Sequence, residues 1–207
     1  MPFTSAEIRW FSLEKDFFWN TFLQLEAQGK GYSETPRTDY YLYAPLTETG
    51  IKVRQGKHEI KVKIAPDEIF MINANKLNIE YWTKWSTREV DNILNILPEN
   101  MLNEWIAVDK KRWKKQFVVL KDGMVQPYNG LSPIHDGAIA EFTKIYLPKL
   151  DATYYTFALE SFQKKCTNKH NLSQALAFFD IDYALFQRYS CASYPLFLSD
   201  IFEKNIV

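Results

Sequence analysis

The segment Gly50–Ile64, GIKVRQGKHEIKVKI, decides how the rest of the chain is read. Lys52 and Arg54 alternate with Ile51 and Val53. After a turn around Gly56-Lys57, Lys61 and Lys63 alternate with Ile60, Val62 and Ile64. A period of two puts the apolar residues on one face of a hairpin and the bases on the other. Like charges side by side on a sheet repel, so the basic face needs either water or a bound anion. Water makes it the outside of an open sheet; an anion makes it the wall of a concave site.

Outward from the hairpin the same style continues. Glu7–Phe11 reads as a strand. Leu13, Phe17, Phe18, Phe22 and Leu25 then recur at helical spacing behind Ser12, a candidate cap. Gly31–Thr38 is a loop by composition, and Asp39–Tyr43 (DYYLY) an aromatic strand. Pro66-Asp67 is expected to end the hairpin, and Glu68–Leu77 fits no single pattern. Asn78–Trp85 alternates again, with Glu80, Trp82 and Lys84 on one face. Ser86 and Glu89 then form a capping box for a helix through Val90, Ile93, Leu94 and Leu97. Glu104–Leu120 is a long strand or a hairpin, and Gly123–Gly137 reads as loop. Ala138–Leu147 and Thr153–Phe162 are strands. A helix begins at Leu172, and Pro195 suits the first turn of a last one.

The 207 residues are 46% apolar and 16% aromatic, enough for a sizeable core in one domain spanning 1–207. Twenty-five bases balance 25 acids, which argues against a general nucleic-acid binder. Cys166 and Cys191 form no metal spacing and read as reduced, buried or half-buried thiols. The opening residues carry no signal-peptide pattern, and no run is long enough to span a bilayer, so the expectation is a soluble cytoplasmic protein without membrane contact. His58, His135 and His170 lie far apart and show no ligand spacing. Irregularly placed helices among short-linked strands favour antiparallel pairing and an α+β fold.

Charges recur on one face of nearly every strand: Glu7 and Arg9, Lys52 and Arg54, Lys61 and Lys63, Glu80 and Lys84, Lys110, Arg112 and Lys114, Glu141, Glu160. An open antiparallel sheet with a solvated face gives this pattern. So does an eight-stranded barrel with helices packed outside and the charges turned inward. A lumen dense in bases makes sense around a polyanion, since arginine grips phosphate bidentately and lysine acts as a point charge. Lys110–Phe117 (KKRWKKQF) also has the composition of a single-stranded nucleic-acid strip. Phe178, Phe179, Tyr183 and Phe186 read as cover for a barrel exterior, or as a homodimer contact.

The order of these pieces resembles the CYTH superfamily, the triphosphate tunnel metalloenzymes. Glu7–Phe11 stands where the family has ExExK, and Asp39–Tyr43 resembles its DxYxD strand. Gly50–Arg54 resembles its G-x-x-[RK]-x-R strand. Ile60–Lys63, Asn78–Trp85, Lys110–Arg112, Glu141 and Ala158–Glu160 follow in family order, and the SYPLFL tail is similar to the closing SYxxLL. The resemblance implies an eight-stranded antiparallel tunnel binding a small-molecule polyphosphate or nucleotide. Arg9, Lys52, Arg54, Lys61, Lys63, Lys84, Lys110 and Arg112 would hold phosphate. Glu7, Glu141 and Glu160 would hold Mg²⁺ or Mn²⁺, with Glu7 and Glu160 as catalytic groups. Three departures stand out: Arg9 replaces a glutamate, Phe11 a lysine and Ala158 a glutamate. The bases are better kept than the metal ligands. Three functions stay open: a metal-dependent triphosphatase, a non-catalytic polyphosphate-binding module, and an interaction protein with a solvated basic face.

Overall fold

The Gly50–Ile64 hairpin turns at Gln55-Gly56, one residue earlier than the sequence suggests, with Arg54 paired to Lys57. Both turn residues have positive φ, 49° and 72°, the signature of a two-residue turn whose twist matches that of the strands. The computed structural model describes residues 3–25, 31–43, 47–87, 104–130, 136–163 and 168–205. The expected Val90–Leu97 helix lies outside these residues, with Glu89 of its capping box, His135 and Cys166, while Ser86 is the last residue of a strand.

In chain order the strands are β1 (Phe3–Ser12), β2 (Tyr32–Ser33), β3 (Arg37–Leu42), β4 (Thr49–Arg54), β5 (Lys57–Ile72) and β6 (Asn75–Ser86). They continue with β7 (Trp105–Val119), β8 (Val125–Tyr128), β9 (Asp136–Leu147), β10 (Ala152–Gln163) and β11 (Ser190–Cys191). Three helices are described: α1 (Asp16–Gln24), α2 (Asn168–Phe178) and α3 (Tyr194–Asn205). Eight strands run in the order β10-β9-β7-β3-β4-β5-β6-β1, and β1 pairs with β10 to close the ring; every pairing is antiparallel. The barrel is therefore closed, and the open-sheet alternative is excluded.

Some boundaries differ from expectation for identifiable reasons. Pro66-Asp67 does not end β5. It sits in a bulge between Lys63 and Glu68, where a missing N–H is tolerated, and the strand continues into a ribbon with β6. The ambiguous Glu68–Leu77 stretch is the tip of that ribbon, turning at Asn73-Ala74 with φ of 45° and 63°. Glu104–Leu120 is one strand, and a short β8 inside the expected loop pairs with its end. The Ser12 hydroxyl accepts from the Glu14 N–H rather than capping α1, whose N-cap is Lys15. Cys191 is a free, exposed thiol, not a buried one.

Two apolar cores lie on opposite sides of the wall. Outside, even-numbered β1 residues (Ala6, Ile8, Trp10) pack with Phe142, Phe157 and Leu159 beneath α1, α2 and the 3-10 turn Tyr183–Arg188. Phe179, Tyr183 and Phe186 are buried there, with Phe178 packed against them. They thus cover the barrel rather than offering a dimer surface. Inside, Phe11, Tyr41, Ile106, Val108, Ile145 and Leu147 cluster with Phe197, Leu198 and Phe202 of α3. Phe11 shares a strand face with Glu7 and Arg9, Val108 with Lys110, and Ile145 with Glu141, so this core fills the lumen itself. Helices α1 and α2 pack outside the barrel as expected, and α3 closes one end of it. No helix among the described residues is long and apolar enough to cross a membrane.

Candidate functional site: a basic cavity above an aromatic plug

Above the plug the lumen holds a cavity of about 330 Å³, within the range of small-molecule sites. Eight bases and five carboxylates line it: Arg9, Lys52, Arg54, Lys61, Lys84, Lys110, Arg112 and Lys114 against Glu7, Glu34, Glu59, Glu141 and Glu160. Seven period-two strands, β1, β4, β5, β6, β7, β9 and β10, deliver all of these groups but Glu34, because each strand turns its charged face inward. The floor is Tyr194, Pro195 and Ser193 at the start of α3. Gly50 lets Pro195 approach: a Cβ there would meet the proline ring at 3.0 Å. Exposure grades along the axis, from 3% for the Lys110 side chain near the plug to 27% for Lys61.

Near the floor, Asp39 is completely buried and anchors three bases: Arg37 Nε at 3.0 Å, Lys110 Nζ at 3.3 Å and Lys52 Nζ at 3.4 Å. Burial pushes the Asp39 carboxyl upward, but Lys110, Lys52, Arg54 and Arg37 outweigh it and hold it well below the usual range. Burial pulls Lys110 well below the ordinary lysine value and Lys52 down to about 8. Lys110 donates to the Tyr41 hydroxyl at 2.7 Å and lies 3.5 Å from the centre of the Tyr194 ring, whose quadrupole attracts the ammonium. Further up, Glu59 faces Lys52 across β4 and β5 and binds both Lys52 and Arg54. Burial raises the Glu59 carboxyl, but these two bases bring it down to about 2.

One cross-strand row explains two departures from the family motif. Arg9 on β1 lies opposite Ala158 on β10, and Ala158 lies opposite Glu141 on β9. The small alanine leaves room for the guanidinium to reach over one strand. Arg9 Nη1 donates to Glu141 Oε1 and to Thr156 Oγ1, each at 3.0 Å. Glu141 also accepts from Thr143 at 3.0 Å and from Arg112 at 3.0 Å, with Lys114 at 3.9 Å. Its burial favours the neutral acid, but Arg112, Arg9 and Lys114 overcome this and keep it ionised well below the ordinary value. Phe11, the third departure, stacks on Phe197 at 3.8 Å; a lysine would have no place in the plug.

The next row up is acidic. Glu80, Glu7 and Glu160 stand abreast on β6, β1 and β10. Lys61 relieves Glu7 at 2.5 Å. Burial, then the Glu7 charge, push Glu80 up to about 7, and Trp82 Nε1 donates to it at 3.2 Å. Burial disfavours the Glu160 anion, yet Lys61, Lys84 and Lys114 leave it below its ordinary value.

Of the residues expected to hold phosphate, seven line one cavity: Arg9, Lys52, Arg54, Lys61, Lys84, Lys110 and Arg112. Lys63 does not. The bulge after it brings Asp67 onto its ammonium, with Glu80 at 3.9 Å. Glu7, Glu141 and Glu160 do reach the cavity. They do not form a hard-cation site as folded. Even a Mg²⁺ site, which keeps several waters, needs one or two free carboxylates, whereas Glu141 is shared among three bases and Glu7 is held by Lys61, leaving Glu160 alone. Among the described residues no three acidic, histidine or cysteine groups converge as a metal cluster.

The sequence reading missed Glu34, Glu59 and Tyr194. Glu59 was legible, since it shares parity with Lys61 and Lys63. Glu34 sits in the polar stretch before β3, yet it binds Arg112 (Nε at 2.8 Å), Lys114 (2.7 Å) and Arg37 (2.6 Å); nothing local announces this. Lys110–Phe117 does not gather its bases and rings on one exposed face. Its alternate residues go to the cavity, while Trp113 packs against the outer core and Lys115 is buried, donating to the Phe22 carbonyl at 3.2 Å.

No protein-family model matches the chain, and no curated protein does. Among solved structures it is similar to the RNA triphosphatase Pct1 of S. pombe at 12% identity and a TM-score of 0.42, over 99% of this chain and 83% of that one. The same enzyme in complex with the Spt5 CTD matches at 11% identity and a TM-score of 0.38, over 99% and 82%.

Proposed function

We propose that the barrel binds a ligand bearing a triphosphate or short polyphosphate, taken up into the plugged cavity with its phosphate chain leading. The observation that carries this reading is the charge of the lining, eight bases against five carboxylates in a space closed at one end. Even with Asp39 counted behind Lys52 and Lys110, the bases exceed their partners, which is costly without a counterion. A chain of phosphates supplies several charges along one axis, matching bases stacked from Lys110 and Arg112 near the plug to Lys61 and Lys84 farther out.

Calorimetric titration and thermal unfolding with sodium tripolyphosphate, pyrophosphate and sulfate test the reading. The expected order of affinity follows phosphate number, and ligand at about a hundred times Kd stabilises the fold by roughly 2.7 kcal/mol. Equal response to all three anions, or none, would exclude it.

A second reading, hydrolysis of the bound chain, is favoured by the acidic row, in which Glu7 and Glu160 line the cavity and Glu80, held up to about 7, stands next to Glu7 just outside the lining. A group with that value can take a proton from water near neutral pH. Release of phosphate from tripolyphosphate, measured with and without Mg²⁺ or Mn²⁺, and its loss in Glu80→Gln, decide for or against turnover.

A further inference from the structure

We propose that the cavity binds its polyphosphate without a divalent cation, with the Arg9 guanidinium as the fixed positive charge at the deep end. The inference rests on the polyphosphate reading above and sharpens it. Three observations carry it. Arg9 is built in place: it is 7% exposed, passes over Ala158, and is pinned by Glu141 and Thr156. Its position is thus determined by the fold and not by a ligand.

The same guanidinium still has capacity. Arg9 Nε is buried and has no hydrogen-bond partner, and the same holds for the Tyr194 hydroxyl at the cavity floor. The Arg9 guanidinium lies 4.9 Å from the centre of the Tyr194 ring, so both donors belong to one region of the lining. Buried donors of this kind are rare and costly when unmet. A phosphoryl oxygen arriving at this floor is an acceptor of the kind these donors lack.

Two of the three carboxylates expected to hold a metal, finally, are committed to bases. Glu141 is shared by Arg9, Arg112 and Lys114, and Glu7 by Lys61. A divalent cation arriving here would have to displace ammonium and guanidinium groups that remain beside it, and they would repel it. A phosphate chain meets the opposite field. Mg²⁺ therefore acts on binding chiefly by pairing with the free ligand and lowering its charge.

The experiment is calorimetric titration of the full chain with sodium tripolyphosphate, first in EDTA and then in excess Mg²⁺ or Mn²⁺. The expected result is binding in EDTA that weakens when the metal is added. Arg9→Gln should weaken binding in EDTA by about tenfold or more, the worth of a charge-assisted hydrogen bond, with no rescue by either metal. Arg9→Lys keeps the charge but loses the Nε donor and should fall between. Unfolding of each variant without ligand checks its fold, and the wild-type comparison decides even where a variant fails to fold. Binding that requires Mg²⁺ or Mn²⁺ overturns the metal-free assignment and leaves the polyphosphate reading intact. Absence of binding in every buffer overturns both.

Discussion

On the same eight strands, the lumen changes character within a step of two to four residues. On β1, Phe11 stacks on Phe197 while Arg9 reaches Glu141. On β7, Val108 is sealed beneath α3 while Lys110 binds Asp39 and Tyr41. On β9, Ile145 lies in the plug and Glu141 in the cavity. Tyr194 serves both regions, with Phe11 against its ring edge-on at 5.4 Å and Lys110 over it at 3.5 Å. An aromatic ring suits this boundary because it packs as a hydrophobe and receives cations on its face. The barrel wall thus does not dictate what fills it. The helix that enters from one end sets where dry packing stops and ion pairing begins.

The largest break in this contrast is removal of a plug ring. Phe197→Ala deletes a side chain that stacks on Phe11 and meets Tyr154 edge-on at 5.2 Å. The residue is 5% exposed. Truncating such a phenylalanine costs about 3–5 kcal/mol, read as a lower urea midpoint. A loss below about 1 kcal/mol would show that α3 is not packed into the barrel.

The anchor of the charged half comes next. Asp39→Asn leaves Arg37, Lys52 and Lys110 without their shared carboxylate, a change of about 3 kcal/mol at neutral pH by comparison with other broken buried pairs. Its signature is pH dependence. In the variant the two lysines sit still lower than in the parent, while the unfolded chain keeps the ordinary value of 10.5. Between those values the folded variant binds fewer protons than the unfolded one, so its stability rises with pH. The parent shares this trend, so the gap narrows only between the variant's lowered lysine values and the parent's, up to about pH 8 for Lys52, and is level above that. A gap that stays constant would mean that Asp39 acts through packing alone.

The two halves were unequally legible in the sequence. Alternation in β4, β5, β6 and β7 carried the charged face of each strand, because period two is a local property. That left an open sheet and a closed barrel equally consistent, since closure depends on β1 meeting β10, more than 140 residues later in the chain. The departures Arg9 and Ala158 were visible singly; their meeting requires the register of three strands. The plug was hidden for a similar reason. Phe11, Val108 and Ile145 share faces with charged residues, which in a strand read alone breaks the pattern, and only the docked α3 accounts for them. Lys63 shows the converse: its spacing fits the cavity, but the bulge at Ala65–Asp67 supplies an acid that no alternation rule anticipates.

Glu80 offers a smaller, opposite change. Its folded value of about 7 lies above the ordinary 4.5, so between those values the folded state binds more protons than the unfolded one. Its contribution is complete below pH 4.5 and is lost as pH rises through 7. Glu80→Gln removes a charge that is buried beside Glu7 and keeps an acceptor for Trp82. The variant should match the parent in acid and exceed it above pH 7 by roughly 2–3 kcal/mol. Thermal melts at pH 4.5 and 8 measure both ends. Equal stability at pH 8 would place Glu80 in a better-solvated setting than its 7% exposure indicates.

The smallest effect belongs to the hairpin tip at the end of β4 away from Pro195. Gln55 holds φ of 49°, a conformation that disfavours a branched or long side chain, and Gly56 follows at 72°. Gln55→Asn produces the Asn-Gly pair that such turns prefer, a gain of about 0.5–1 kcal/mol. Because Arg54 and Lys57 close the turn and Val53 and His58 pair behind it, the gain should appear as slower amide exchange in β4 and the start of β5. Exchange around Phe11 and Val108 should not change, since those residues are held by α3 on the plugged side. Slower exchange at both ends would instead mean that the barrel opens as one unit, and that the division between its dry and charged halves is one of composition and not of local stability.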